Sequence, residues 1–111
     1  MSPKVRPEVE SVLPEVLELR RDFHRHPELG FEEVRTSARV CEYLRSAGIE
    51  AQTGIAQTGV AAVVEGTHPG PTLLLRADMD ALPIQEETQL ECSSVVPGKM
   101  HACGHDFHTA I

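Results

Sequence analysis

The sequence has no excess of positive charge and no long apolar run, and these two absences narrow the range of its partners. Ten lysines and arginines stand against 17 aspartates and glutamates, and the resulting net charge of -7 argues against nucleic acid as a partner. No apolar stretch approaches the ~20 residues of a membrane span. Residues 1–4 lead into acidic residues, not into the apolar core of a signal peptide. We therefore expect a soluble, cytoplasmic protein with no membrane partner.

Cysteine is too sparse for a disulfide framework. The three cysteines are widely spaced, at positions 41, 92 and 103, and their number is odd, which fits a reducing compartment. Cys41 lies on a helical apolar face, so we expect it to be a small core residue. With 111 residues, no internal repeat and no low-complexity segment, the chain is one small domain at most.

Two amphipathic helices are predicted in the first half of the chain. After a flexible lead-in over residues 1–10, apolar residues recur at helical spacing from Ser11. Proline is tolerated in the first turn of a helix, so Pro14 places the start near Ser11, and the helix should end before Pro27. The second helix should run from about Glu32 to Ala47, just before a glycine that stops it.

Strands are predicted in the middle of the chain. Residues 49–55 favour a short edge strand, and residues 60–64 are a compact run of β-branched residues and alanines. Residues 72–75 are apolar on both faces, as in a central strand that helices cover. A new helix should begin at about Asp106. This order of elements predicts an α/β fold with helices packed on a mixed sheet.

The residues best suited to chemistry lie together between Met100 and His108. This stretch holds three of the six histidines and one of the three cysteines. On an extended backbone His101, Cys103 and His105 would project to one side, and Gly104 would let the main chain approach a bound ion. Imidazole and thiolate are ligands of zinc and related ions, so the spacing predicts a metal site. The alternative is a turn into a helix with incidental histidines. A nucleophilic Cys103 with His105 as its base is disfavoured, because residues two apart rarely reach thiolate–imidazole geometry.

Asp78 and Asp80 follow the predicted strand over residues 72–75. Spaced by two, they should face the same way at the carboxyl end of that strand, where open α/β sheets place ligands. Two such carboxylates repel each other unless a cation or a histidine lies between them, and the alternative is a solvated turn. Two more histidines, His24 and His26, lie at the end of the first helix. They are either favourable cations near the negative end of its dipole or members of a site.

Three segments of the sequence resemble the peptidase M20 amidohydrolases. The segments are Arg21–Glu33, Leu75–Ile84 and Gly98–Asp106, and the resemblance covers about residues 16–111. Within that family the sequence most resembles the branch of N-acyl-amino-acid amidohydrolases, hippurate hydrolases and indoleacetyl-amino-acid hydrolases. The resemblance implies a catalytic α/β domain of the zinc-peptidase type that holds two divalent ions, which are zinc, manganese or cobalt. It also implies a smaller inserted domain for dimerisation.

The same resemblance implies roles for individual residues. Cys103 and His105 are implied to be metal ligands, and Asp80 a supporting acid that orients a ligand or the hydrogen bonds of the site. The implied reaction is hydrolysis of the amide bond of N-acyl amino acids or related small conjugates, with metal-activated water as the nucleophile. The implied partner is accordingly a small-molecule substrate.

Part of the family pattern lies outside this sequence. The general base of the family is a glutamate followed by a metal-binding glutamate downstream of the ligand stretch, and neither Glu32–Glu33 nor Glu86–Glu87 occupies that position. The remaining metal-binding histidines and the dimerisation domain of the family's homo-oligomers are also missing. We therefore expect residues 11–111 to be the amino-terminal part of an M20 catalytic domain, with little or no turnover alone. The alternative is a non-catalytic module that binds metal or associates with a partner.

Overall fold

The computed structural model describes residues 3–111 and contains three helices and one hairpin in this range. Two long helices come first, α1 (Pro7–Arg25) and α2 (Val34–Ser46). Strands β1 (Ala51–Ile55) and β2 (Gly59–Ala62) follow, and the short helix α3 (His105–Ala110) lies near the end of the chain. The predicted α/β class is confirmed, with α2 packed against both strands and α1 packed against α3.

Helix α1 begins earlier than the sequence predicts. Its first residue is Pro7, which fits the first helical position because proline has no N–H to leave unbonded there. Pro14 therefore lies inside the helix, and the prediction of a start near Ser11 is wrong. The interior proline is tolerated because this part of α1 is exposed, so water can reach the carbonyl that its missing N–H leaves free. Of the predicted lead-in, residues 7–10 are helical, residues 3–6 have no regular structure, and residues 1–2 lie outside the described residues. The predicted end before Pro27 is confirmed.

A distant side chain caps the start of α2. Within the described residues, the N-cap residue Glu33 makes no capping hydrogen bond with its own side chain. The Glu28 carboxylate instead accepts hydrogen bonds from the N–H of Arg35 (2.9 Å) and from the N–H and hydroxyl of Thr36 (2.6 and 2.7 Å). The buried face of the helix carries Thr36 and Cys41. The prediction that Cys41 is a core residue is confirmed, since it is 7% exposed.

The hairpin is a two-stranded antiparallel sheet. Ala51 pairs with Ala62 and Ile55 with Gly59, with an irregularity between the two ends. The turn uses left-handed backbone at Ala56 and Gln57. Glycine is required at position 59, because a Cβ there would lie 2.5 Å from the carbonyl oxygen of Ile55. The two predicted strands that bracket this turn are therefore confirmed, with slightly shorter bounds.

The predicted central strand over residues 72–75 does not form in the described part of the chain. Leu73, Leu74 and Leu75 are 82–87% exposed, and the segment has no ladder partner among residues 3–111. A strand needs a neighbour to bond its N–H and C=O groups, and the hairpin does not lie beside it. The sheet of this chain is accordingly antiparallel, not mixed. An isolated parallel bridge between Leu29 and Ala81 lies just after this segment.

The core joins α1 to α3. Its buried members are Leu19 and Phe23 on α1 and Ala110 on α3, with Val40 and Tyr43 of α2 packed against them. Two backbone hydrogen bonds link Leu82 and Met100, and they bring the segment after Asp80 beside the segment before α3. This connection places the acidic pair next to the histidines of α3. Among the helices of residues 3–111, none has the length and apolar character needed to cross a membrane.

Candidate metal centre

His105 lies between the two aspartates that follow the exposed leucine segment. Its Nδ1 is 2.9 Å from Asp80 Oδ1 and 3.0 Å from the Asp80 carbonyl oxygen, while its Nε2 is 3.4 Å from Asp78 Oδ2. The sequence predicts that a cation or a histidine must separate these carboxylates, and the structure confirms the histidine. The side chains of His105 and Asp78 are 18% and 25% exposed, so the group lies at the surface without being fully solvated.

The contact to Asp80 sets the tautomer of His105. A carboxylate and a carbonyl oxygen can only accept, so Nδ1 carries the proton that is donated to Asp80. The Nε2 atom of a neutral ring then presents its lone pair on the side of Asp78. Carboxylate-held histidines with one free ring nitrogen are the usual form of a metal-ligating histidine.

His108 joins the same group, although it is missing from the ligand set that the sequence implies. Its Nδ1 is 2.7 Å from Asp78 Oδ1, and its ring stacks on that of His105 with centroids 5.5 Å apart. The signal that points to it is the spacing of three residues within α3, which puts His105 and His108 on one helix face. A hydrogen bond from His108 is the main reason that the pKa of Asp78 lies below its usual value of 3.8.

Asp78, His105 and His108 together form a possible metal-binding group. One ligand atom from each lies within 4.8 Å of the other two. The donor set of two imidazoles and one carboxylate suits zinc and related divalent ions. The chemistry of the group therefore fits a divalent cation. We define the metal cluster as Asp78, His105 and His108, with Asp80 as the carboxylate that orients His105.

His101, Cys103 and His105 differ in their exposure to solvent. His101 is 5% exposed, Cys103 is exposed, and His105 is half-buried. The extended run is broken at Gly104, whose φ of 110° turns the chain into α3. Cys103 is not a member of the metal cluster. Its role as a ligand remains a prediction.

His101 has an unusual environment for a polar side chain. Neither ring nitrogen has a hydrogen-bond partner among the described residues. Burial is the largest cause that lowers the pKa of His101 below its usual value of 6.5. Burial therefore disfavours the charged form of this ring, which lies 6.5 Å from the ring of His24.

A cavity lies away from the metal cluster. It has a volume of about 650 Å³ and lies between the end of α2 and the hairpin, where Arg45, Gln52 and Val63 are among its lining residues. None of the residues of the metal cluster lines it. The chemistry of the site, not cavity size, therefore identifies the candidate centre.

Comparison with known proteins points to a family of metal-binding peptidases. The profile of peptidase family M20/M25/M40 matches residues 74–111, the part of the chain that holds the metal cluster. The crystal structure of the YXEP protein of Bacillus subtilis, a dinuclear metal-binding peptidase of the M20 family, superimposes with a TM-score of 0.85 at 47% identity. It covers 91% of this chain. The chain is similar to proteins of peptidase family M20.

Curated relatives match nearly the whole chain. Thermostable carboxypeptidase 1 of Saccharolobus solfataricus is 45% identical over 109 residues, and the N-acyl-L-amino acid amidohydrolase of Geobacillus stearothermophilus is 48% identical over 103 residues. These alignments cover 97% and 93% of this chain but 28% of each relative. The chain covers a similar share, 29%, of the YXEP protein. The M20 resemblance found in the sequence is confirmed, and the chain spans little more than a quarter of the relatives it matches.

Proposed function

We propose that this chain contributes to the metal site of an M20 amidohydrolase. The proposed reaction is hydrolysis of the amide bond of N-acyl amino acids or related small conjugates by metal-activated water. Relatives with this chemistry in their names, such as the Geobacillus stearothermophilus amidohydrolase, support the substrate class. The observation that carries the proposal is the orientation of His105, whose Nδ1 is held by Asp80 while Nε2 remains available beside Asp78.

The proposed ligands are His105 and Cys103, with Asp78 and His108 close enough to complete or support the coordination. When bound, zinc, manganese or cobalt would polarise a carbonyl group and acidify water. Asp80 fixes the tautomer and ring orientation of His105 by accepting a hydrogen bond from its Nδ1–H. Asp78 accepts a hydrogen bond from His108 and keeps that ring stacked on His105.

Zinc titration by calorimetry tests the metal site directly. We expect His105→Gln to abolish measurable binding and Asp80→Asn to weaken it about 10- to 100-fold, the usual effect of losing a carboxylate behind a histidine ligand. The matched control is His68→Gln, because His68 lies in an exposed loop and bonds only its neighbour Thr67 among the described residues. Equal affinity in His105→Gln and His68→Gln would refute the site.

The absorption spectrum of bound cobalt(II) tests whether Cys103 is a metal ligand. A thiolate ligand gives cobalt(II) a sulfur-to-metal charge-transfer band that nitrogen and oxygen ligands lack. We expect this band in the unsubstituted chain and in Cys92→Ser, and its loss in Cys103→Ser. Cobalt binding without the band would remove Cys103 from the ligand set while leaving the histidine part of the proposal in place.

Turnover is tested with N-acetyl and N-benzoyl amino acids in the presence of zinc, manganese or cobalt. We expect little or no release of free amino acid, because the glutamate pair of the family is absent from this sequence. Release that Cys103→Ala abolishes would show that the chain is competent alone and would contradict this expectation.

A second candidate is a non-catalytic module that associates with a partner. The three leucines at 73–75 favour it, because they expose apolar surface that soluble proteins usually cover. Size-exclusion chromatography with metal analysis separates the two candidates. A metal-free assembly would favour the module, and a metal-loaded monomer would favour the hydrolase site.

A further inference from the structure

A second group of charged side chains lies where α1, α3 and the loop before α3 meet. It consists of Arg20 and His24 on α1, Glu86 in the loop between α3 and the hairpin, and Asp106 on α3, and we call these four residues the buried charge cluster. The side chains of His24, Glu86 and Asp106 are 4%, 2% and 1% exposed. The cluster joins three segments that are far apart in the sequence.

His24 lies at the centre of this cluster. Its Nδ1 is 2.7 Å from Asp106 Oδ2, and its Nε2 is 3.1 Å from Glu86 Oε1. Arg20 donates from Nε to the same Asp106 oxygen at 3.0 Å. The imidazole therefore connects two carboxylates whose side chains are almost fully buried.

The hydrogen-bond partners determine the charge of His24. Glu86 accepts from the N–H of Ser94 (2.9 Å) and from the hydroxyl of Thr88. Burial raises the pKa of Glu86, but the bonds from Thr88, Ser94 and His24 outweigh it and lower the pKa to about 2. An ionised carboxylate only accepts, so Nε2 of His24 must donate to Glu86.

The other ring nitrogen, Nδ1, has two neighbours, one of which favours a bare nitrogen and the other a protonated one. Arg20 Nη2 lies 3.3 Å from Nδ1 and could donate to a bare nitrogen. Asp106 Oδ2 lies at 2.7 Å, and a bare nitrogen at that distance would place two lone pairs against each other. The shorter contact favours donation from Nδ1 to Asp106. Both ring nitrogens then donate, the ring is an imidazolium, and two cations balance two anions.

Asp106 connects this cluster to the metal cluster. It follows His105 directly, and its Oδ1 accepts from the N–H of Phe107 at 3.0 Å, within the first turn of α3. Helix α3 has only six residues and could not form without tertiary contacts. The position of Asp106 against α1 thus determines where α3 presents His105 and His108.

We propose that His24 is a positioning residue, an imidazolium that bridges Glu86 and Asp106 and thereby holds α3 with His105 and His108 facing Asp78 and Asp80. The role in metal binding rests on the proposed function. The charge and the bridging role stand on the contacts of His24 itself. Glutamine does not replace both bonds, because its amide donates from one nitrogen and cannot span two carboxylates on opposite sides of a ring.

Nitrogen NMR of the uniformly labelled chain tests the charge. We expect both ring nitrogens of His24 to show protonated chemical shifts at pH 7, without metal. A ring with one bare nitrogen would overturn the proposal. This measurement needs no substitution, so its result does not depend on whether a variant folds.

Zinc titration of His24→Gln tests the positioning role, with His26→Gln as the matched control. His26 lies at the same end of α1 but is half-exposed and bonds the carbonyl oxygen of Asp22. We expect His24→Gln to bind zinc at least 10-fold more weakly and to shift the ring signals of His105 and His108, and His26→Gln to stay within twofold. A folded His24→Gln with unchanged affinity and unchanged ring signals would overturn the proposal.

Glu86→Gln provides a second variant if His24→Gln does not fold. It keeps an oxygen that can accept from Nε2 of His24 but removes one charge, and we expect a smaller, two- to fivefold loss of zinc affinity. An unchanged affinity would count against the bridge. If the unsubstituted chain binds no zinc, the proposed metal site fails, and the ring signals of His105 and His108 in these variants still decide whether His24 positions α3.

Discussion

Removal of the Glu28 carboxylate is expected to destabilise the fold far more than its partly exposed position suggests. Glu28 receives three hydrogen bonds from the first turn of α2, two of them from Thr36. Thr36 is 1% exposed, so in Glu28→Ala its N–H and hydroxyl could not turn to water instead. The substitution therefore leaves buried donors without partners at the start of a helix.

The size of the effect follows from these contacts. A buried polar group left without a partner costs about 1–3 kcal/mol, loss of a helix cap costs about 0.5–2 kcal/mol, and loss of a negative charge near the helix N-terminus costs about 0.3–1 kcal/mol. These contributions overlap, so we expect a loss of about 2–4 kcal/mol. At about 4–8 °C per kcal/mol, the melting temperature should fall by about 8–30 °C.

Urea and thermal unfolding followed by circular dichroism measure this loss. The matched control is Glu32→Ala, because the Glu32 side chain is 59% exposed and forms a surface ion pair with Lys99, which is worth at most about 1 kcal/mol. Glu28→Gln should lie between the two, since one amide oxygen still accepts. A Glu28→Ala variant no less stable than Glu32→Ala would refute the reasoning.

Three further predictions concern the loop, the turn before α3 and the core. The pKa of Glu86 is lowered from 4.5 to about 2, so its ionised carboxylate stabilises the fold above about pH 5. This stabilisation, at most about 3 kcal/mol before solvent screening, is lost as the pH falls toward 2. Glu86→Gln should therefore make the free energy of unfolding less dependent on pH over that range. Gly104→Ala should cost about 1–2 kcal/mol by urea unfolding, because its φ of 110° strains a residue with a Cβ although the space there is open. Phe23→Ala should cost about 3–5 kcal/mol and leave the chain largely unfolded by circular dichroism, because Phe23 is 2% exposed in a small core.

Each of these predictions has an outcome that contradicts it. Parallel acid-unfolding curves for Glu86→Gln and the unsubstituted chain would show that Glu86 contributes no linkage. A Gly104→Ala variant of full stability would mean that the turn relaxes without strain. A cooperative transition near that of the unsubstituted chain in Phe23→Ala would show that α1 and α3 do not depend on this side chain.

Local sequence was sufficient to predict much of the site. The spacing of two between Asp78 and Asp80 predicts a shared face and a need for a histidine or cation between them, and His105 fulfils it. The proline after α1 and the glycine-bounded segments also predict the helix end and the hairpin, because these signals act over a few residues. The M20 resemblance rests on the same short segments.

Long-range contacts determined the features of the fold and of the site that local sequence does not predict. No local pattern shows that Glu28 caps α2 or that His24 bridges Glu86 and Asp106, because these bonds join residues 8 to 82 positions apart. The central strand over residues 72–75 has the right apolar pattern, yet it stays unpaired in the described chain because a strand requires a neighbour as well as a sequence. The sequence by itself determined the residue types and spacings that make a metal site possible. Only the tertiary structure decided which of these residues meet, since packing of α3 on α1 brings His105 and His108 to Asp78.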